Sequence, residues 1–353
     1  MLSKKFNSHL IYFRFDCGPE IGMGHAIRCM AIVNQLQKIN VDCAIFHRES
    51  STKYLPNKVS GNIKYYALPD SQELFSYMPK AQIRKPDALI IDQYSEAREN
   101  LSASIFKNTT KILIDDLDTE ASYDCEILIN PNIGFLQKKN RASQLQLLGP
   151  TYAPIREEVR EFAKSWEPAV SSNMVLRCLI SIGATDPLNL TSKILRSILD
   201  FYDRSAFHFI VILSSAAPHL NEVTKYCNDL RKEITVEVVI DPENIGEMYQ
   251  NVHCCIGAAG SSAWERCCVG LPTAQIVVAR NQQQIQDELV LKEAVVDLPH
   301  PDNDKFFDRL SAFLKSAKTQ SEAFLALSKK CQTIVDGYGA KRIADAILEE
   351  LSS

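Results

Sequence analysis

Three features of the sequence predict two doubly wound α/β domains, each Rossmann-like. The chain has 353 residues, more than one ordinary core needs and suited to two domains. Short apolar runs recur along it, each followed by a polar or helically periodic stretch, the alternation produced by parallel strands with crossover helices. Each half also opens alike, with an apolar run, a glycine-containing turn and a helix. Two such domains are expected to face a cleft between their strand ends. A hydrophobic fraction of 46% suffices for two cores.

In the first half, Leu10 to Phe15 reads as a strand and Gly24 to Ile39 as the helix after it. Val41 to Phe46, Ile63 to Ala67, Ala88 to Asp92, Lys111 to Asp115 and Glu126 to Asn130 follow as buried parallel strands. From about Lys138 to Asn173 the pattern lapses: Gly149 to Pro154 reads as an irregular connection, Ile155 to Trp166 as a charged helix, and Pro168, Ser171 and Ser172 as a linker. The boundary is therefore set between 1–153 and 154–353. The second half starts with a strand at Val175 to Ile182, a turn, and a helix from Leu188 with Pro187 in its first turn. Strands at Phe207 to Leu213, Ile234 to Ile240, Cys254 to Ile256 and Thr273 to Val278 follow. The chain closes with helices, the last from Lys341 to Leu351, a candidate to pack back on the first domain.

Charge and cysteine usage exclude several classes. Lys and Arg number 39 against 43 Asp and Glu, a net charge of -4, and the charges are scattered, so no nucleic-acid footprint is present. The apolar run after Lys4 and Lys5 is broken by Arg14 and Asp16, unlike a signal peptide, and no later run has transmembrane length. Eleven cysteines fall inside apolar runs such as Cys43, Cys178, Cys254-Cys255 and Cys267-Cys268, without C-x-x-C pairs or zinc-ligand spacing. They read as small core residues of a cytoplasmic protein.

Ligands on doubly wound sheets bind beyond the carboxyl ends of the strands. Those ends carry Asp16, Asp92-Gln93-Tyr94, Asp115-Asp116 and Asn130-Pro131-Asn132. The distinctive stretch is Ile21 to Cys29, where Gly22 and Gly24 precede His25 at the start of a helix. The glycines admit a ligand to the backbone N–H groups, and a neutral imidazole there can accept a proton. The ordinary alternative is a histidine that caps or packs at the helix start. Cys17, eight residues before His25, is a weaker candidate as a nucleophile paired with that base. Asp115-Asp116 reads as a strand-end carboxylate and a cap in preference to a metal site.

Two turns in the second half suit phosphates. Gly183-Ala184-Thr185-Asp186 offers N–H groups, a hydroxyl and a helix start. Gly257 to Arg266 combines small residues with Ser261 and Ser262 at another helix start, and Glu265, one turn in, is placed to reach a ribose diol. The plainer reading is a tight helix–strand junction with Glu265 in solvent. The dinucleotide fingerprint fails because Ile27 stands at its third glycine, and no Walker A pattern occurs.

Several motifs together resemble one family. Arg14-x-Asp16, Ile21-Gly22-x-Gly24-His25-x-x-Arg28-Cys29, Ile91-Asp92-Gln93-Tyr94, Ile114 to Leu117, Leu128-Ile129-Asn130, Gly149-Pro150-x-Tyr152-Ala153 and Ile155-Arg156-x-Glu158 occur in order. The Gly183 turn, Gly257-x-x-Gly260-Ser261-x-x-Trp264 to Cys268-x-Gly270-Leu271-Pro272, and Asn281-Gln282 complete the series. It resembles the UDP-sugar hydrolases of the pseudaminic acid pathway (PseG) over about residues 11 to 290.

That resemblance implies a GT-B fold, MurG-like, and hydrolysis of UDP-2,4-diacetamido-2,4,6-trideoxy-β-L-altropyranose with inversion at the anomeric carbon. It implies His25 as general base and Asp16, Gly22, Gly24, Arg28, Tyr94, Asn281 and Gln282 as sugar-binding positions. Gly183, Ala184, Thr185, Asp186, Asn244, Ile245, Ser261, Ser262 and Glu265 are implied for the nucleotide. A UDP-sugar is the expected substrate, with no cofactor, no metal, no nucleic acid and no membrane partner; the sequence leaves the oligomeric state open, with a monomer favoured. Two departures stand out: Gln93 replaces a histidine, so it cannot carry a proton, and Ala184 replaces a glycine beside the phosphates. Cys17 replaces Ala or Ser, which weakens its reading as a nucleophile. A glycosyltransferase of the same architecture and a UDP-sugar-binding protein without turnover remain the alternative readings.

Overall fold

The computed structural model describes residues 9–56, 63–93, 97–117, 124–132, 145–163 and 174–353. The chain divides into two compact units: Met1–Ile21, His25–Pro154 and Tyr338–Ser353 make the first, Gly22–Gly24 and Ile155–Gly337 the second.

The first unit is built on a seven-stranded sheet of β1 (Leu10–Phe15), β2 (Asp42–Arg48), β3 (Ile63–Leu68), β4 (Ala88–Asp92), β5 (Thr110–Ile114), β6 (Ile127–Asn130) and β7 (Leu145–Leu148). The order is β3-β2-β1-β4-β5-β6-β7, and every pairing is parallel. The order reverses between β1 and β4, so their carboxyl ends mark the switch point where such sheets bind ligands. The register sets Phe15 beside Asp92 there. Helix α1 (Gly24–Lys38) follows β1, and α2 (Leu74–Lys80) and α3 (Ala97–Ser102) lie further along. Strand β4 is buried at every residue, as in sheets covered on both faces. Tyr12, Phe46, Leu89, Ile91 and Leu113, alternate residues of their strands, join Leu74, Met78, Leu101 and Phe106 in one core.

The sequence pattern predicts no strand at β7. This edge strand is four residues long and half-exposed, with Leu145 at 41%, so neither alternation nor a continuous apolar run announces it.

The second unit carries a six-stranded sheet of β8 (Leu176–Ser181), β9 (Phe207–Leu213), β10 (Thr235–Ile240), β11 (Cys254–Ala258), β12 (Thr273–Ile276) and β13 (Val296–Asp297). Its order, β10-β9-β8-β11-β12-β13, is again parallel throughout. Helices α4 (Glu157–Ala163), α5 (Leu190–Leu199), α6 (Leu220–Leu230), α7 (Ile245–Gln250), α8 (Ser262–Val269), α9 (Gln283–Leu291), α10 (Phe306–Thr319) and α11 (Glu322–Gln332) surround it. Phe201, Phe207, Phe209, Phe306, Phe313 and Phe324 anchor its core.

Helix α5 begins later than the sequence suggests, and Pro187 is not in its first turn. Asp186 and Asn189 take left-handed φ values of 36° and 49°. The Asp186 carboxylate instead accepts the N–H groups of Leu190 at 2.9 Å and Thr191 at 2.8 Å, capping the helix from outside.

The last helix, α12 (Gly339–Ser352), belongs to the first unit. Arg342 Nη1 donates to the Thr151 carbonyl at 2.9 Å. A Cβ on Gly339 would lie 2.1 Å from the Ala153 carbonyl oxygen, so only glycine lets the helix start there. All eleven cysteines are buried thiols outside any disulfide. Among the described residues, no helix is long and apolar enough to cross a membrane.

Candidate functional site

In the first unit, one buried carboxylate gathers the groups at the switch point. Asp92, the last residue of β4, is 1% exposed. His25 Nδ1 lies 2.6 Å from its Oδ1. Arg28 donates from Nε to Oδ2 at 2.6 Å and from Nη2 to Oδ1. Cys29 Sγ donates to Oδ2 at 3.4 Å. Residues 25, 28 and 29 share a helix face because their spacing is three and four. The other end of the Arg28 guanidinium, Nη1, donates to Asp116 Oδ2 at 2.6 Å.

Burial alone would raise the Asp92 carboxyl, but the charges of Arg28 and His25 outweigh it and hold the group well below the usual carboxylate range. An ionised Asp92 only accepts, so the proton of a neutral His25 sits on Nδ1 and the accepting lone pair on Nε2. The 3.1 Å approach of Arg28 Nη2 to Nδ1 is then a contact without a shared proton. This is the arrangement of a general base oriented by a carboxylate.

Asp16 sits at the end of β1 as a tie between strands. Its Oδ1 accepts from Arg14 Nη1 and from the Arg48 N–H, both at 2.7 Å, and its Oδ2 from Gln93 Nε2 at 3.1 Å. Burial raises its carboxyl, and Arg14 followed by Arg48 lowers it further than burial lifts it. Gln93 thus serves as an amide donor to a carboxylate, which needs no titrating proton. Cys17 is buried, and burial with the neighbouring Asp16 charge pushes its thiol up to about 12. Its thiolate is scarce at neutral pH, which removes Cys17 as a nucleophile.

Asp115 Oδ1 accepts the Leu117 N–H at 3.0 Å and closes a turn. Asn132 reaches the Asp116 carbonyl at 2.9 Å while its own N–H bonds Asn130 Oδ1 at 2.9 Å. Among the described residues, no three His, Cys, Asp or Glu side chains gather as a metal site requires. Gly22 has φ 85° with open space around its missing Cβ, so glycine is needed there for conformation. Gly24 is the first residue of α1. Tyr94 lies outside the described residues.

In the second unit, Gly183 to Asp186 follow β8 and Ser261 to Glu265 follow the neighbouring β11, while Asn244 and Ile245 follow β10. Gly183 takes the left-handed step, φ 82°, so Ala184 is spared it; the Ala184 carbonyl accepts the Ser214 N–H at 2.7 Å. Thr185 and Asp186 are buried. Ser261 and Ser262 stand at the start of α8. Asn244 caps α7, accepting the Glu247 N–H at 3.0 Å, and Ile245 is buried beside it. Gln282 accepts the Val278 N–H at 3.0 Å, and its amide lies 3.4 Å from where a Gly260 Cβ would stand. Asn281 is in the same short turn, Arg280–Gln282.

Two arginines supply what the sequence reading missed. Arg266 is 1% exposed and donates to the Ala258 carbonyl at 2.6 Å, Gln275 Oε1 at 3.1 Å and Ser262 Oγ at 3.0 Å. A Cβ on Gly257 would come within 2.9 Å of its guanidinium carbon. Arg156 holds Glu265 from both sides, Nε to Oε1 and Nη2 to Oε2, each at 2.7 Å. Glu265 is 3% exposed, so its reading as a solvated carboxylate fails. Both arginines stand in motifs of the ordered series, Ile155-Arg156-x-Glu158 and Trp264 to Cys268, but their partners are not legible there: Arg156 meets Glu265 across 109 residues.

Fold and site together define a two-domain α/β protein of the GT-B class, with a carboxylate-oriented histidine in one unit and glycine- and serine-lined turns in the other. No family model matches the chain. It is 24% identical over 293 residues to the UDP-2,4-diacetamido-2,4,6-trideoxy-β-L-altropyranose hydrolase of Campylobacter jejuni, covering 80% of this chain and 96% of that one. An uncharacterised protein of Methanocaldococcus jannaschii is 23% identical over 337 residues, 94% of this chain and 67% of that one. A spore coat polysaccharide biosynthesis protein of Bacillus subtilis is 22% identical over 349 residues, 95% and 96% of the two chains. Among solved structures, MurG of Acinetobacter baumannii aligns with a TM-score of 0.67 at 11% identity over 97% of this chain and 99% of that one. The UDP-GlcNAc 2-epimerase of Neisseria meningitidis bound to UDP-GlcNAc aligns at 0.62 and 14% identity over 96% and 100%.

Proposed function

We propose that the chain is an enzyme acting on a UDP-sugar, and specifically that it hydrolyses UDP-2,4-diacetamido-2,4,6-trideoxy-β-L-altropyranose to UDP and the free sugar with inversion. The His25–Asp92 pair, with its 2.6 Å contact, carries the reading, because a base with a fixed tautomer is what activation of water requires. The Campylobacter jejuni relative, named for that reaction, and the epimerase solved with UDP-GlcNAc support the substrate class.

In this mechanism His25 Nε2 takes a proton from water as the water oxygen bonds to the anomeric carbon. The bond from that carbon to the β-phosphate oxygen breaks, and its electron pair leaves with UDP. Attack from the face opposite UDP inverts the configuration. The negative charge on the departing diphosphate is stabilised by N–H groups and hydroxyls at the Gly183–Asp186 and Ser261–Ser262 turns. Glu265 accepts from the ribose diol, and Asn244 and Ile245 lie at the uracil. Asp16, Gly22, Gly24, Arg28, Tyr94, Asn281 and Gln282 border the sugar; for Asp16 and Arg28 that role is second to holding the strand ends and Asp92.

The test is an NMR time course of the purified protein with this UDP-sugar and no acceptor. UDP and the inverted anomer are expected at once, and His25→Ala should lower kcat by about 10²–10⁴-fold while UDP still binds. UDP release that strictly requires an acceptor makes the chain a glycosyltransferase. Full activity in His25→Ala overturns the mechanism, and UDP binding without any turnover leaves a binding protein.

A further inference from the structure

We infer that Arg156 is a positioning residue that sets Glu265 to recognise the ribose of a uridine nucleotide, and so discriminates ribo- from 2′-deoxyribonucleotides. The inference rests on the proposed binding of UDP by the second unit.

Glu265 is the fourth residue of α8, the helix whose start carries Ser261 and Ser262. Its carboxylate is held in one plane by a two-pronged guanidinium, 2.7 Å at each oxygen. Tyr249 Oη donates to Oε2 at the longer distance of 3.5 Å. A carboxylate has about four lone-pair sites. The fork uses one on each oxygen and Tyr249 a second on Oε2, which leaves an acceptor on Oε1 for a ribose hydroxyl. Buried ion pairs add little net stability over apolar packing, so the gain from this one lies in orientation. A glutamate already fixed in its rotamer loses little freedom when the ligand arrives, and hydroxyl donation to an anion is charge-assisted.

The segment carrying Arg156 is itself seated firmly. Helix α4 follows it directly, and the backbone of α7 approaches α4 so closely that a Cβ on Gly246 would stand 2.3 Å from the Glu158 carbonyl oxygen. Arg160, one turn along, lies against Gly337 and forms an ion pair with Glu157 at 2.9 Å. The fork therefore starts from an anchored helix start, on the side of α7 whose N-cap is Asn244.

Calorimetric titration with UDP and with 2′-deoxy-UDP tests this. The wild-type protein is expected to prefer UDP at least tenfold. Arg156→Met should bring the ratio of the two Kd values to within about threefold of one and leave the Kd for 2′-deoxy-UDP within threefold of wild type. Arg156→Lys keeps the charge without the fork and should lower the ratio at least threefold, which keeps the test open if Arg156→Met does not fold. Glu265→Gln should collapse the ratio as Arg156→Met does. A ratio unchanged in Arg156→Lys, or both ligands weakened equally in Arg156→Met, overturns the role of Arg156. Equal binding of the two ligands by the wild-type protein overturns ribose recognition while UDP binding stands, whereas no binding of UDP at all overturns the nucleotide reading itself.

Discussion

Asp92 and His25, 67 residues apart in sequence, meet at 2.6 Å because β4 ends where α1 begins on the far side of the same switch point. The contact assigns the imidazole proton to Nδ1. An asparagine at position 92 offers Nδ1 a donor in place of an acceptor and permits the other tautomer. Asp92→Asn should therefore lower kcat by about 10²–10⁴-fold and leave the Kd for UDP unchanged. Steady-state kinetics and calorimetry on the same preparation check both halves; a Kd that rises with the loss of kcat would point to misfolding instead.

The same carboxylate ties stability to pH. Asp92 and Asp16 are both held below their ordinary range, so the unfolded chain binds more protons than the folded one between their folded values and about pH 4. Their stabilisation is present above that unfolded value and is lost as pH falls through the folded ones. Urea midpoints measured downward from pH 6 should fall in the acid limb, and Asp92→Asn should flatten that limb. A steeper limb in the variant would reverse the sign of the assignment.

Thiol chemistry should be silent. Burial pushes Cys17, Cys43, Cys255 and Cys268 to about 12, and all eleven thiols are covered. An aromatic disulfide reagent at pH 7.5 should titrate none within minutes in the native protein and eleven after denaturation. Cys17→Ala should keep kcat within about twofold, since a protonated buried thiol is no nucleophile.

Two glycine substitutions should fail for different reasons. Gly22→Ala meets no atom but must hold φ 85°, a strain of about 1–2 kcal/mol. Gly339→Ala has an ordinary φ but drives a methyl to 2.1 Å from a carbonyl oxygen, and overpacking of that kind costs about 1–3 kcal/mol or more. Thermal unfolding of the pair should show the larger loss for Gly339→Ala, with kcat affected more by Gly22→Ala, which sits in the turn before His25.

The alternation that specifies parallel strands is local, so the long apolar strands of both sheets could be read from the sequence, the edge strands β3 and β10 among them, while the short strands at the opposite edges could not. β7 and the two-residue β13 have no period of their own and are defined by their neighbours. The glycines and His25 were legible because a turn between strand and helix leaves a signature over nine residues, Ile21 to Cys29. The partners were not, since Asp92 reaches His25 and Arg156 reaches Glu265 only through the fold. Asp16 shows the opposite case: a strand-end carboxylate that invites a ligand reading is occupied on both oxygens by Arg14, Arg48 and Gln93.

Because α12 packs on Thr151 and Ala153, the first unit is not finished when the ribosome passes residue 154. The stretch Ile155–Gly337 is topologically an insertion, fixed to its host at both ends. Synthesis must complete the insert before the final helix of the host exists, so the host's Gly339 docking surface waits uncovered through most of translation. Truncation just after Gly337 would remove no residue of the insert and would damage the unit that carries His25.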